Sequence, residues 1–480
     1  MLIDGEVIAS THVLDVRNPY TGKTVGYVPI ASKKDIERAL TLAQQAKPLP
    51  YDERASFLRH IATALVAKKE LFSRLIVDET GLSFKDASHE VERAIGTART
   101  ATSIVERPMR TYDITLPYLA SNVPPKKPIL NVIKEPIGLA VAITPFNHPI
   151  NLVGHDVFSA IAAGVPLVLK PSPRTPLTAL AFGKLLHEIG LPPNLLNIIV
   201  DDGEHTAETV ADLVMFPGTE LVLFTGSVPA GFSLARLIAK RENPLIRFIP
   251  ECGGLSPFIV CEDADLDLAA ELAVKGCFDH SGQRCTAIRK LILIDNIADT
   301  FVNHLLTRLE RFRYGDPYNN TNDMGTVISA EHADGVRRRV ENAIKYGAQF
   351  IYGGASFLDR DHPALLPPLV LDHVDSQTPL VLSETFGPVA PIIRVKTIEE
   401  AIEVGRSPYM LAAAAVTKSR EMALRIAREF GFGQFSWNGV PGYRTEAAPF
   451  GGFGLSGNGS KRGVVETIEA MLNKRTFYEH

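Results

Sequence analysis

Cysteine is scarce in this sequence: 480 residues carry four, at positions 252, 261, 277 and 285. They form no CxxC pair and show no Cys/His ligand spacing, which argues against both a zinc site and a disulfide scaffold. No apolar run is long enough to span a bilayer. The opening MLIDGEVIASTHVLDVRNPY carries acids early and lacks the continuous apolar segment of a secretory signal. Basic runs are missing too: Lys+Arg 50 against Asp+Glu 54 leave a net charge of -4, so nothing tracks a nucleic-acid backbone. These absences predict a metal-free protein of the reducing cytoplasm, with neither nucleic acid nor membrane as partner. Any anion recognition must be local.

The composition is close to globular averages, with 45% hydrophobic and 22% charged residues and with 36 Gly and 33 Pro scattered without a repeat period. At this length two or three domains are expected. After a hairpin around NPYTGKTVGYVP, the run SKKDIERALTLAQQAK opens on a serine cap with apolar residues at helical spacing. Helices dominate to about Val105. A proline-rich break, LPYLASNVPPKKP, leads to ILNVIKEPIGLAVAITPF, which is β-rich with a turn at Pro136-Ile137-Gly138. From His148 onward, short apolar strands alternate with amphipathic helices. Parallel strands need helical crossovers, so the alternation predicts a parallel α/β sheet. A second α/β series runs from SPFIVCEDADLDLAAELAVKGCF to about Asn438, and the closing MLNKRTFYEH alternates like an exchanged or edge strand.

Five short segments carry side chains suited to chemistry. FTGSVPAGFSLARLIAKR sets Gly226 and Ser227 after an apolar strand and Gly231 in the first turn of a helix. Free N–H groups and the helix dipole favour a phosphate there, but the spacing is not G-x-G-x-x-G, and an ordinary strand–helix turn fits equally well. VPLVLKPSPRTP ends in Lys170, Ser172 and Arg174 at a sheet's C-terminal edge, either a ligand-binding position or a solvated one. PECGGLSP presents Glu251 before two glycines, a surface carboxylate in isolation and a water-activating base beside a cysteine. TPFNHP holds Asn147 between prolines, as an oxyanion donor or as an Asx-turn residue. HSGQRCTA puts Arg284 beside Cys285; a guanidinium favours the thiolate, whereas most free cysteines are buried and inert.

In this order, NPYTGKTVG, TPFNHP, KPSPRTP, FTGSVPAG, ECGGLSP, SGQRCTA, ETFGPV and PFGGFGLSGNG resemble the aldehyde dehydrogenase superfamily over nearly the whole chain. The resemblance implies a Rossmann-like NAD(P)-binding domain (1–118 and 141–250), an α/β catalytic domain (251–438) and a small β oligomerisation arm (119–140 and 465–480). It also implies that Cys285 attacks an aldehyde carbonyl, that the Asn147 amide and the Cys285 N–H hold the oxyanion, and that Glu251 activates water to hydrolyse a thioester. Thr144, Pro145, Phe146, Lys170, Ser172, Arg174, Gly226, Ser227, Gly231, Glu384 and Phe386 fall at cofactor positions. Among them Lys170 would serve the adenosine ribose, Ser227 the pyrophosphate, and Glu384 with Phe386 the nicotinamide end. A homodimer or homotetramer is implied as well.

The departures are informative. Cys252 stands where the family often has leucine, Gly454 where it has a lysine, and Pro173 where many NAD-specific members carry a ribose-binding glutamate. Without that acid, Lys170, Ser172 and Arg174 are available to a 2′-phosphate, so the expectation leans to NADP over NAD. Arginine directly before the nucleophile resembles members acting on anionic substrates. With VPGYR, which supplies Tyr443 and Arg444, and NHPINLVGHDV, which supplies His155, the chain is most similar to phosphonoacetaldehyde dehydrogenases. By that resemblance Arg284, Arg444 and His155 would clamp the phosphonate; alternatively the arginines pair with protein carboxylates. Oxidation of lactaldehyde, glyceraldehyde 3-phosphate or a semialdehyde is the competing expectation, and an inactive homologue a remote one. Glu251 argues against acyl transfer to coenzyme A.

Overall fold

In the computed structural model, which describes residues 1–106, 129–354 and 361–479, two seven-stranded sheets carry the chain. The first aligns Leu139–Ile143, Leu167–Lys170, Leu196–Ile198, Thr219–Thr225 and Arg247–Glu251 in parallel. The N-terminal strands Leu2–Ile3 and Glu6–Val7 add an antiparallel edge. The second sheet aligns Ser256–Val260, Ile288–Ile294, Leu369–Asp372, Val389–Val395, Ala412–Val416 and Gln434–Trp437 in parallel, with Gln349–Tyr352 antiparallel at one edge. Strands such as LAVAI, LVLK and AAAAV are buried at every position, as parallel strands covered by helices on both faces must be.

The path through the first sheet decides where a ligand can go. From Leu139–Ile143 the chain steps outward to Leu167–Lys170 and Leu196–Ile198, then returns to the other side with Thr219–Thr225 and Arg247–Glu251. This reversal opens a crevice at the C-terminal ends of Leu139–Ile143 and Thr219–Thr225, the ligand position of open α/β sheets. The second sheet meets that crevice from the opposite direction. The segments preceding its strands Ser256–Val260, Ile288–Ile294 and Val389–Val395 carry Gly253, Cys285 and Glu384 into it.

Local expectations fare well. The hairpin pairs Val13–Arg17 with Thr24–Pro29. Ser32 caps Lys33–Gln44 in a full capping box with Asp35. The closing strand Leu472–Glu479 pairs antiparallel with Ile129–Pro136 of the same chain, so the arm is a two-stranded ribbon whose outer edges lack strand partners among the described residues. Residues 119–128 of the expected arm lie outside the described residues. Among the described residues no helix is long and apolar enough to cross a membrane.

Helices Lys69–Thr80, Asn151–Ala163 and Pro176–Glu188 join through one aromatic contact set: the Phe182 ring stands edge-on to Phe72 at 6.4 Å and to Phe158 at 5.7 Å. All three side chains are fully buried. Phe182→Ala is expected to cost about 3–5 kcal/mol, read as a lower denaturant midpoint, with the Michaelis constants of the folded protein unchanged because the cavity lies on other residues.

Candidate active site

A cavity of about 300 Å³ occupies the crevice. Pro145 to His148, Thr225 to Ser227 and Glu251 line it from the first sheet. Cys252, Gly253, Arg284 to Thr286, Glu384 and Phe386 line it from the segments leading into the second, and Arg93, His155, Arg444 and Arg462 close one end.

Cys285 is half-buried, at the end of a loop that begins with three consecutive left-handed residues, His280, Ser281 and Gly282 (φ 64°, 53° and 66°). Only glycine adopts this region without cost, so the two non-glycine positions hold strain that the surrounding packing must maintain. A Cβ on Gly282 would stand 2.2 Å from the Gly387 carbonyl oxygen, and one on Gly254 would stand 2.3 Å from that of Cys285. Buried Arg289 crosses beneath this junction and donates to the carbonyls of Gly282 and Gly387, the latter at 2.8 Å. The sequence reading missed Arg289, because an arginine inside the strand IRKLILI reads as a sheet-edge charge.

Asn147 is buried and donates from Nδ2 to the Gln283 carbonyl at 2.9 Å, which aims the amide toward the cysteine loop and leaves its second hydrogen free. It is therefore not an Asx-turn residue serving its own backbone. The thiol itself corrects an expectation. Burial, together with the nearby Glu384 and Glu251 carboxyls, pushes Cys285 up to about 12, against the pull of Arg444 and Arg284. Arg284 does not hold a thiolate. Its guanidinium donates to the Lys275 carbonyl at 2.8 Å, at the C-terminal end of the helix Leu266–Phe278, where the dipole favours a cation.

Glu251 ends its strand with both carboxyl oxygens enclosed and without hydrogen-bond partners. Burial raises it well above the usual carboxylate range, while Arg444 and Lys461 pull it back. Lys461 donates to the Gly451 carbonyl and lies over the Phe453 ring at 4.4 Å, so a cation stands near Glu251 although position 454 is glycine. Gly454 has φ +60°, and a Cβ there would stand 2.5 Å from the Pro408 carbonyl oxygen, so lysine cannot occupy this backbone without strain. Cys252 is a core thiol, raised to about 12 chiefly by burial, with its sulfur 2.7 Å from where Gly231 would place a Cβ.

The residues expected at cofactor positions gather along the crevice. Gly226 donates its N–H to the Glu251 carbonyl at 3.0 Å, and Ser227 is exposed at the N-terminus of helix Val228–Ile238, whose first-turn N–H groups lack helical partners. Pro229 at the helix N-terminus suits close approach of a phosphate to that end, while the missing Cβ of Gly231 makes room for the Cys252 sulfur. Thr144 is buried with its hydroxyl unpartnered, and Phe146 stands edge-on to Phe386 at 5.8 Å. Glu384 accepts from the Gly254 N–H at 3.2 Å, and its carboxylate occupies the space a Cβ on Gly253 would need. The crevice thus fits a dinucleotide. One neighbour was missed: Lys170, 2% exposed, lies 2.6 Å from the Asp201 carboxylate, itself 2% exposed. The reading that no acid stands near Lys170 is corrected; of its basic neighbours, Arg174 is exposed and half-buried Ser172 accepts the Arg174 N–H at 3.2 Å.

At the cationic end, Arg93 pairs with Glu446 at 2.9 Å, and buried Arg462 pairs with Asp156 and donates to Thr225 at 2.6 Å. Arg444 differs. No carboxylate lies within 4 Å of it among the described residues, its Nε is enclosed without a partner, and it lies over Phe450 at 4.3 Å. His155 Nε2 is 3.3 Å from Arg444 Nη2. Burial and the Arg444 and Arg462 charges hold His155 well below its ordinary value, so it is neutral and accepts from Arg444. Tyr443 is 67% exposed and does not line the cavity. Of the expected anion clamp, then, Arg444 and Arg284 both line the cavity with no carboxylate within 4 Å among the described residues; each gives Nη2 to a backbone carbonyl, Arg444 to Arg462 at 3.2 Å and Arg284 to Lys275 at 2.8 Å, while His155 accepts from Arg444 and Tyr443 is exposed. Arg93, Arg462 and His148 were missed as wall residues, because nothing in the linear pattern brings the helix Phe84–Val105 to this crevice.

The description "Aldehyde dehydrogenase family" matches residues 7–477. The chain is 32% identical over 486 residues to a lactaldehyde dehydrogenase of Methanocaldococcus jannaschii, covering 99% of each, and 33% identical over 479 residues to a 3-sulfolactaldehyde dehydrogenase of Priestia aryabhattai, covering 99% of this chain and 96% of the relative. Among solved structures it is similar to an NAD-dependent aldehyde dehydrogenase from Sinorhizobium meliloti (TM-score 0.91, 27% identity, 100% of this chain and 94% of the other). It is also similar to an NADP-dependent glyceraldehyde-3-phosphate dehydrogenase from Bacillus halodurans complexed with NADP (TM-score 0.90, 29% identity, 100% and 98%).

Of the four thiols, Cys252, Cys261 and Cys277 are buried and Cys285 is not. Iodoacetamide is expected to label Cys285 alone. Because the thiolate fraction of a group near 12 rises with pH, the labelling rate should climb about tenfold per pH unit from pH 7 to 10. A plateau below pH 9 would show that the thiolate is already stabilised.

Proposed function

The chain belongs to the aldehyde dehydrogenase family, and from that premise we propose that it oxidises a short anionic aldehyde to the carboxylate, with Cys285 as nucleophile, Asn147 as oxyanion donor and Glu251 as the base that admits water. The cofactor is NAD or NADP; when bound, it accepts the hydride that leaves the substrate carbon. The remaining work falls to the chain. The Cys285 thiol gives up its proton to water as Sγ bonds to the carbonyl carbon, and the carbonyl oxygen takes up the charge between the free Asn147 amide hydrogen and the Cys285 N–H. At the thioester stage Glu251 takes a proton from water as that water attacks, and the Cys285 thiolate leaves. Such a base must be ionised, so its raised pKa places full hydrolytic activity on the alkaline side of the usual carboxylate range.

The observation that carries the anionic substrate is Arg444, a guanidinium in the cavity wall with no protein carboxylate within 4 Å. A phosphonate, phosphate or sulfonate on the substrate would supply the missing charge and accept planar, charge-assisted hydrogen bonds. Phosphonoacetaldehyde, the substrate suggested by the sequence motifs, meets this requirement, as do the charged substrates in the names of the sulfolactaldehyde and glyceraldehyde-phosphate relatives. Asp201 neutralises Lys170 and so favours NAD over NADP. The ribbon of Ile129–Pro136 and Leu472–Glu479 offers its edges to a second copy, as a homodimer or homotetramer requires. The free thiols suit the cytoplasm.

Arg444→Leu is expected to lower kcat/KM about 10- to 100-fold for phosphorylated, phosphonylated or sulfonated aldehydes, the range of a lost charge-assisted contact, and to leave propanal within about threefold. Equal losses on charged and uncharged aldehydes would exclude the anion-binding role. Asp201→Ala frees Lys170, and the ratio of the KM for NADP to that for NAD should fall by about tenfold, on the order of one ionic contact; an unchanged ratio would show that Asp201 does not govern cofactor choice.

A further inference from the structure

Beside the oxyanion donor lies a trio that the reaction above does not use: buried Glu90 and His280 and half-buried His148, with one ligand-type atom from each within 4.8 Å of the others. Glu90 comes from the helix Phe84–Val105 and is 1% exposed. Its Oε1 accepts the N–H groups of Ile150 (2.9 Å) and Asn151 (3.2 Å), which caps the helix Asn151–Ala163. Its Oε2 is enclosed and unpartnered, 3.6 Å from His148 Nδ1, which is likewise enclosed and unpartnered. The His148 ring packs on that of His280 at 4.3 Å.

The partners assign the protons. His280 Nε2 lies 2.6 Å from the Asn147 carbonyl oxygen, which can only accept, so Nε2 carries a hydrogen. That use, and the three guanidiniums of Arg93, Arg284 and Arg444 around the group, make it a poor seat for a divalent cation. His148 Nδ1 stands 3.6 Å from the Glu90 carboxylate oxygen, beyond hydrogen-bond distance, and the negative charge facing it favours the tautomer with the hydrogen on Nδ1. Burial and the neighbouring arginines hold the ring well below its ordinary value, so it is neutral. In a neutral imidazole whose Nδ1 is protonated, Nε2 is a lone-pair acceptor. His148 lines the cavity, and its Nε2 is not among the enclosed atoms. In a wall otherwise rich in arginine donors, this nitrogen asks for a hydrogen rather than offering one.

Resting on the assignment of this cavity to an aldehyde, we propose that His148 Nε2 accepts a hydrogen bond from a hydroxyl on the carbon next to the aldehyde group, so that the site is built for 2-hydroxyaldehydes, a class that includes glyceraldehyde 3-phosphate and excludes phosphonoacetaldehyde. The chain locates the hydroxyl: His148 adjoins Asn147, whose amide marks the reacting carbonyl, and adjacent Cα atoms are only ~3.8 Å apart. Glu90 is the positioning residue: it favours the ring's tautomer while it caps the helix that follows. A site that pairs with a substrate hydroxyl discriminates strongly against the analogue lacking it, because its own acceptor is then left dry and unpaired.

The test uses two matched pairs: glyceraldehyde 3-phosphate against 3-oxopropyl phosphate, and lactaldehyde against propanal. Within each pair the only difference is the 2-hydroxyl. The intact enzyme should favour the hydroxylated member at least tenfold in kcat/KM. His148→Phe, which keeps a planar ring of similar size, should abolish the preference by lowering the hydroxylated member alone; His148→Gln, which keeps an acceptor, should retain most of it. No preference in the intact enzyme, or equal losses on both members in His148→Phe, overturns the proposal. Failure of the anionic-substrate reading has a different signature: Arg444→Leu would then leave the phosphorylated pair no more affected than the uncharged pair, whatever the hydroxyl preference.

Discussion

Three loops converge on one thiol because their backbones touch where glycine leaves no side chain. Gly254 lies against the carbonyl of Cys285, Gly282 against that of Gly387, and Gly253 against the carboxylate of Glu384. A larger residue at Gly254 or Gly282 would clash with backbone and force these segments to shift, separating Cys285, Glu251 and Glu384. Arg289 makes the junction rigid. It is fully buried with no carboxylate within 4 Å among the described residues, and it gives its hydrogens to backbone carbonyls from two of the three loops. A buried guanidinium left unbonded would cost several kcal/mol, so the arrangement that satisfies it is strongly preferred over alternatives that do not. The same bonds sustain the left-handed turn at His280 and Ser281 that a free loop would relax.

The cavity owes its polarity to the way the sheets meet. The first sheet contributes the C-terminal ends of its strands, bringing Asn147, the glycine turn at Gly226 and Glu251. The second contributes segments that enter its strands from their N-terminal ends, bringing Cys285 and Glu384. The carboxyls of Glu251 and Glu384 therefore flank the thiol and add to its burial, the larger reason why it rests protonated. The cations come from outside both sheets, from the helix Phe84–Val105 and the loops carrying Arg444 and Arg462. Acids stand where the chemistry occurs and an unneutralised cation stands opposite.

Much of this was legible in the linear pattern, for particular reasons. Cys285, Glu251 and Asn147 each sit in a short segment whose glycines and prolines announce a constrained backbone, and local constraint is visible locally. The alternation of apolar strands with helices reported the parallel sheets, because burial on both faces leaves its mark in uninterrupted runs such as LVLK and LILI. Arg284 lines the cavity, but adjacency to Cys285 did not reveal that one of its nitrogens also bonds the end of the preceding helix. Asp201 escaped because the expected acid belonged three residues after Lys170, and the one that meets Lys170 arrives from the next strand of the sheet. Arg93, Arg289 and Glu90 lie within elements whose periodicity marks them as ordinary helix or strand positions.

The sequence by itself determined the family and the parallel α/β class, since these depend on local backbone chemistry and on motif order. The tertiary structure decided which charges are neutralised. Pairing of Lys170 with Asp201, Arg93 with Glu446 and Arg462 with Asp156 joins residues 31, 353 and 306 positions apart. It leaves Arg444 without a counterion and His148 with a lone pair facing the cavity. Charge balance is a sum over neighbours in space, and no spacing along the chain encodes it.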